Sequence, residues 1–150
     1  MFRTSFVRSL ILGVVLAAVA VGGAIASTGG PVKVGPSTVT VSPNGYRFAV
    51  NVTCPPSAEA TPCEGLLSMQ TVPIKPYAGS VYNSIPKKKW PVGALEFSAP
   101  AGKSVPVRGR LLAGALVQVK SKGSVKVLVD VVQDGSVVGK TSLILKLKRS

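Results

Sequence analysis

The sequence contains no histidine among its 150 residues, and this absence removes the commonest general base and the commonest metal ligand. Acidic residues are also scarce, since five Asp and Glu stand against 18 Lys and Arg. These five residues do not cluster in the sequence: they are Glu59, Glu64, Glu96, Asp130 and Asp134. A hydrolase with paired carboxylates would need two of them to meet across a sheet. We therefore predict a protein that is not an enzyme, with no metal and no cofactor.

Cysteine is limited to Cys54 and Cys63, and two cysteines alone cannot make a zinc site in a chain without histidine. Exported proteins commonly use such a pair for one structural disulfide, and we predict that bond here. The loop that it closes is short and contains three prolines, at positions 55, 56 and 62. By the chain-entropy relation, a loop of this size contributes about 2–3 kcal/mol to stability.

A long apolar segment occurs once, over residues 10–26, after a positively charged start with Arg3 and Arg8. It ends in Ala-Ile-Ala, which provides the small residues required at the −3 and −1 positions of a signal peptidase site. The pattern predicts a signal peptide over residues 1–26 and an exported protein, extracellular or in the cell envelope. An uncleaved membrane anchor is the alternative, because this run of 17 residues is at the short end of the roughly 17–25 that span a bilayer.

Residues 27–150 carry 16 Lys and Arg against five Asp and Glu, a formal charge of +11. Outside a cell, the polyanions that such a charge attracts are wall polymers, acidic polysaccharides and lipid headgroups. The alternative is that the basic surface only keeps the domain soluble. Nucleic acid is not expected as a partner, because single-strand binding needs several stacking platforms in one groove and an exported domain rarely meets DNA.

After a Gly/Pro-rich linker over residues 27–36, apolar and polar residues alternate repeatedly along residues 37–150. The turn sequence Asp134-Gly135 predicts a hairpin, and residues 111–122 predict one or two helical turns that stop at Gly123. About seven short strands with little helix predict an all-β domain, a single antiparallel β-sandwich. The apolar positions of the alternating sets are Val39, Val41, Tyr46, Phe48, Val50, Val52, Cys54, Cys63, Leu67, Met69, Leu95, Phe97, Val105, Val107, Leu111, Val125, Val127, Val129, Val131, Leu143, Leu145 and Leu147.

Residues 72–91 interrupt the alternation and contain four prolines, so we predict a long surface loop there. Pro106 lacks a backbone donor, which predicts that its strand lies at a sheet edge or turns its even positions to solvent. Leu128, Val132 and Ile144 fall on the outward face of the closing strands. They indicate either a covered second face or ordinary tolerance of scattered apolar residues at a surface.

A family resemblance is carried by four stretches: residues 46–54, Cys63-Glu64-Gly65, residues 95–103 and residues 105–108. Together they resemble the immunoglobulin-like modules of exported bacterial surface proteins. Those modules have a similar order of strand, cysteine pair, Phe-containing strand, Ala-Gly turn, basic strand, short helical turn and closing hairpin. The resemblance implies an immunoglobulin-like sandwich of about seven strands and an exported location, and it transfers no functional residue. The loop over residues 72–91 is longer than the pattern needs.

Two short motifs resemble functional sequences but lack the necessary context. Residues 84–87 match the Ser-x-x-Lys pattern of penicillin-recognising enzymes, yet that chemistry needs a helix and Pro86 opposes one. Residues 135–141 resemble a phosphate-binding loop, but they are one residue short and join two strands instead of opening a helix. Neither motif predicts a site.

The surface feature singled out by the sequence is a run of three lysines followed by tryptophan, at residues 87–90. Lysines attract an anionic polymer, and tryptophan supplies stacking or interfacial burial. Tyr77 and Tyr82 lie in the same loop. The predicted anion-binding residues are Lys87, Lys88, Lys89, Trp90, Arg108 and Arg110. The alternative is that Trp90 caps the core while the lysines are only solvated.

These observations predict a secreted or envelope-associated binding module whose partner is an anionic envelope polymer. The alternative function is a structural or accessory subunit that docks a surface protein through sheet edges or exposed apolar positions. A membrane is expected as a partner only through the leader, if the leader is not cleaved.

Overall fold

The structure is a computed structural model that describes residues 31–75 and 86–149. The predicted leader over residues 1–26, together with Tyr77, Tyr82 and Ser84, lies outside the described residues. Within the described residues, no helix is both long and apolar enough to cross a membrane. The described chain forms eight strands and one helix: β1 (Lys33–Gly35), β2 (Thr38–Val41), β3 (Arg47–Thr53), β4 (Cys63–Thr71), β5 (Pro91–Ala99), β6 (Ser104–Arg110), α1 (Ala113–Lys122), β7 (Ser124–Gln133) and β8 (Ser136–Leu147).

The strands form two sheets, so the prediction of an all-β protein is confirmed. One sheet has three strands in the order β1-β3-β6, and the other has five in the order β2-β8-β7-β4-β5. All neighbouring strands are antiparallel except β2 and β8, which are parallel. Buried side chains from both sheets and from α1 belong to a single hydrophobic core.

Alternation in the sequence explains which face of each strand enters this core. In β3, Phe48, Val50 and Val52 are buried, whereas the residues between them are exposed. In β7, four valines at every second position, from 125 to 131, are likewise buried. Each such side chain stabilises the fold by about 1.5–3 kcal/mol relative to remaining in water.

Two features differ from the sequence-based prediction. Lys33–Gly35 falls in the segment predicted as a linker, yet it pairs antiparallel with β3 as strand β1. The count of strands is therefore eight instead of about seven. The segment predicted to form one or two helical turns is a longer helix of ten residues, and it is followed by Gly123, whose φ of 76° is favourable for glycine.

Other local predictions are confirmed. Asp134 and Gly135 have φ values of 50° and 75° and connect β7 to β8 in a two-residue hairpin. Pro106 lies in β6, which is an edge strand of the three-stranded sheet. The predicted disulfide joins Cys54, directly after β3, to Cys63, the first residue of β4. Because β3 and β4 belong to different sheets, this bond links the two sheets covalently.

The chain reverses direction at two ends of the molecule. The register of the strands brings three connections together at one end: the cysteine loop over 54–62, the turn over 100–103 and the hairpin at 134–135. We call this end the disulfide end. The turn over 42–46, helix α1 and the segments 72–75 and 86–90 lie at the opposite end, which we call the helix end.

Close backbone packing at Gly65 generates a stability prediction. A Cβ atom there would collide with the carbonyl oxygen of Val132, and it would lie 3.0 Å from the ring of Phe97. We expect Gly65→Ala to lower the free energy of unfolding by about 1–3 kcal/mol, measured by urea denaturation, because neither β7 nor the core has space for it. Gly139→Ala is the control, since its Cβ would make an ordinary contact of 3.7 Å with Val131. Equal stability of the two variants would contradict this account.

Candidate anion-binding surface

The five acidic residues lie in the half of the molecule nearest the disulfide end. Glu59 is in the cysteine loop, Glu64 is the second residue of β4, and Asp134 is in the hairpin. Glu96 and Asp130 lie past the midpoints of β5 and β7, toward the same end. Although these residues are dispersed in the sequence, Glu64, Glu96 and Asp134 line one open depression of about 620 Å³. Within the described residues, no group of acids has the arrangement needed to hold a metal ion.

The basic residues show the opposite distribution. Among the basic residues that the structure describes, only Lys33, Lys103 and Lys140 lie in the half nearest the disulfide end. The other thirteen of the sixteen basic residues beyond residue 30 lie in the half nearest the helix end, which contains no acid among the residues described. These thirteen are Arg47, Lys75, Lys87, Lys88, Lys89, Arg108, Arg110, Lys120, Lys122, Lys126, Lys146, Lys148 and Arg149.

Backbone hydrogen bonds join the segment that follows β4 to the segment that precedes β5, and they hold the lysine run at the helix end. The backbone N–H of Lys88 donates to the carbonyl of Ile74 at 3.1 Å, and the reverse bond is 3.0 Å long. The N–H of Trp90 donates to Oγ1 of the buried Thr71 at 2.9 Å. The three lysine side chains are exposed, as a binding role requires.

Trp90 has a packing role. Its ring is half-buried against α1, so close to Gly114 that a Cβ atom on this glycine would lie 2.7 Å from ring carbons. The Lys88 ammonium lies 4.1 Å from the centre of the ring, within the range of a cation–π interaction. Trp90 therefore packs on α1, and its ring also contacts one of the lysines.

Arg108 and Arg110 are exposed on the outer face of the three-stranded sheet, as predicted. Arg47, which the sequence did not single out, lies on the same face of β3 and directly opposite Arg110. Arg108 is opposite Ala49. None of these three arginines forms an ion pair with a described carboxylate. We call Arg47, Arg108 and Arg110 the arginine face.

The structure does not bring the lysine run and the arginine face together into one patch. Lys89 lines a small depression of about 150 Å³ with Asp130 and Lys140, on the outer face of the five-stranded sheet. The arginine face belongs to the other sheet, so the two groups share the helix end but lie on different faces. The Lys120 ammonium of α1 lies 4.9 Å from the centre of the Tyr46 ring and adds a further cation to the helix end.

The contact between Trp90 and Gly114 can be tested because Trp90 is the only tryptophan in the chain. We expect Gly114→Ala to move the fluorescence emission of Trp90 to longer wavelength, since the added methyl displaces the ring toward water. It should also destabilise the protein by about 1–3 kcal/mol, despite the higher helix propensity of alanine. Ala113→Gly, at an exposed position of the same helix, should weaken the helix without moving the emission. An unchanged spectrum in Gly114→Ala would refute the contact.

The cross-strand pair of Arg47 and Arg110 places like charges directly opposite each other, an arrangement that destabilises a sheet. We expect Arg47→Thr to raise the free energy of unfolding by about 0.2–1 kcal/mol in low salt, with the gain shrinking as salt screens the repulsion. Lys33→Thr is the matched control, because Lys33 faces Thr53 across the sheet. A loss of stability in Arg47→Thr would show that the pair is not repulsive.

No model of a known protein family matches the chain, and no curated protein sequence matches it. The charge distribution of this protein is therefore interpreted from its own geometry alone, and so are the lysine run and the arginine face.

Proposed function

We propose that this protein is an exported, immunoglobulin-like β-sandwich module that binds an anionic polymer of the cell envelope without catalysing a reaction. The two sheets around one core and the strand order support the sandwich. The disulfide is consistent with an oxidising compartment and supports export, together with the signal-peptide pattern of residues 1–26.

The observation that carries the binding proposal is the one-sided distribution of charge. A surface with thirteen cations and no described anion in one half of the molecule creates a positive field that acts over about a Debye length, roughly 8–10 Å at physiological salt. If the charge served solubility alone, it could be spread evenly. A polymer with repeated negative charges can contact several of these cations at once, and release of its counterions then drives binding.

A second candidate, a structural or accessory subunit, is favoured by a different observation. Strand β8 pairs with β2 only from Ile144 to Leu147, so its edge from Ser136 to Leu143 has no described neighbour on that side. Val137 and Val138, at the start of this edge, are 50% and 47% exposed. A partner protein could add a strand there.

Salt separates the two candidates. We expect the purified protein, without residues 1–26, to be retained by isolated cell envelopes at about 50 mM salt and released at about 500 mM, because ions screen the attraction. Retention that is unaffected by salt would favour the accessory subunit. Absence of retention in both conditions would refute both candidates for an envelope target.

Two charge-matched variants test which end of the molecule binds. Replacing Lys87 and Lys88 with glutamine removes two charges from the helix end, whereas replacing Lys33 and Lys103 removes two from the disulfide half, away from the depression that Lys89 shares with Lys140. We expect the first variant to weaken low-salt retention by about threefold or more and the second to change it by less than about twofold. Equal losses would indicate attraction by net charge without a preferred end.

A further inference from the structure

Resting on the proposed function, we propose that the arginine face is the specific recognition site of the polymer, and that it binds tetrahedral oxyanion esters, with phosphodiesters as the expected group. The lysine run then contributes general attraction from another face. The register of β3 and β6 brings Arg47 beside Arg108 and Arg110, the two arginines that the sequence predicted.

The backbone places the three side chains close together. Arg47 and Arg110 are directly opposite in adjacent strands, a position in which Cβ atoms are about 4.5–5.5 Å apart. Arg108 is two residues from Arg110 in the same strand, a distance of about 7 Å on the same face. Side chains as long as arginine can therefore direct three guanidinium groups toward one anion above the sheet.

The unpaired state of these side chains also points to a ligand. Like charges directly across a sheet are unfavourable, and the described carboxylates form no ion pair with any of the three. The residues around them on this face are short or uncharged, namely Ala49, Asn51 and Pro106. Glu96 of β5 lines an open depression together with Arg108, but the two form no ion pair. An anion bound here would neutralise the repulsion, which couples binding to stability.

The geometry of the donors favours a tetrahedral oxyanion over a carboxylate. A guanidinium presents two parallel N–H groups in one plane, and a planar carboxylate satisfies one such fork with its two oxygens. A phosphate or sulfate ester directs its oxygens out of a single plane, so it can accept hydrogen bonds from more than one guanidinium. Three neighbouring arginines without a partner match that capacity. Phosphodiesters and sulfate esters share this chemistry, and the test distinguishes them.

The experiment compares three variants of the protein without residues 1–26, each checked for a single cooperative thermal unfolding transition. The first replaces Arg47, Arg108 and Arg110 with glutamine, and the second replaces Lys87, Lys88 and Lys89 with glutamine, so both lose three charges. The third replaces the same arginines with lysine and keeps the charge. Binding is measured by titration calorimetry with poly(glycerol phosphate), dextran sulfate and polygalacturonate.

For poly(glycerol phosphate), we expect the arginine-to-glutamine variant to lose about tenfold or more in affinity, and the lysine variant of the arginine face to recover little of it, because lysine lacks the fork. The variant of the lysine run should lose about threefold. For polygalacturonate, the two glutamine variants should lose affinity equally. A selective loss for dextran sulfate but not for the phosphate polymer would identify sulfate esters as the ligand and overturn the assignment to phosphodiesters.

Equal losses of the two glutamine variants on every polymer would overturn the inference while leaving the proposed function intact. Full affinity in the arginine-to-lysine variant would also overturn it, because charge alone would then suffice. Failure of the unmodified protein to bind any of the three polymers or the isolated envelope would instead refute the proposed function itself.

Discussion

Strand β7 is the element on which the remaining structure depends. It pairs with β8 over ten positions and with β4 over six, and α1 packs against its beginning. Its four buried valines contribute to the core shared with the three-stranded sheet. Because β2 attaches through β8 and β5 through β4, every strand of the larger sheet is positioned by this one. Replacing these valines with polar residues would remove a large part of the core that the two sheets share.

The antiparallel course of the chain converts a weak pattern in the sequence into a strong electrostatic one. Acidic residues fall before, within and directly after the reversals at the disulfide end, and most basic residues fall near the reversals at the helix end. Successive reversals alternate between the two ends, so every second reversal adds its charges to the same end. A chain with modest local charge bias thereby acquires two ends of different character, without any salt bridge between described residues needed to arrange them.

The sequence predicted the local features of this fold well, since period-two alternation identifies the buried face of a strand and Asp134-Gly135 identifies a tight turn. It did not predict β1, because three residues are too short for a periodic signal. It also missed Arg47 as a site residue and the shared depression of Glu64 and Asp134. Both depend on register between strands distant in sequence, which is set by packing of the whole core and leaves no local pattern.

The position of the disulfide has a practical consequence for handling the protein. The loop of residues 55–62 projects from the acidic end and is closed by a covalent bond that also fastens the two sheets. Glu59 and Ala60, near its centre, are exposed. A label or a solid support attached at this loop would therefore leave the opposite, cationic end facing the solution. Such an immobilised protein would present every copy in the same orientation.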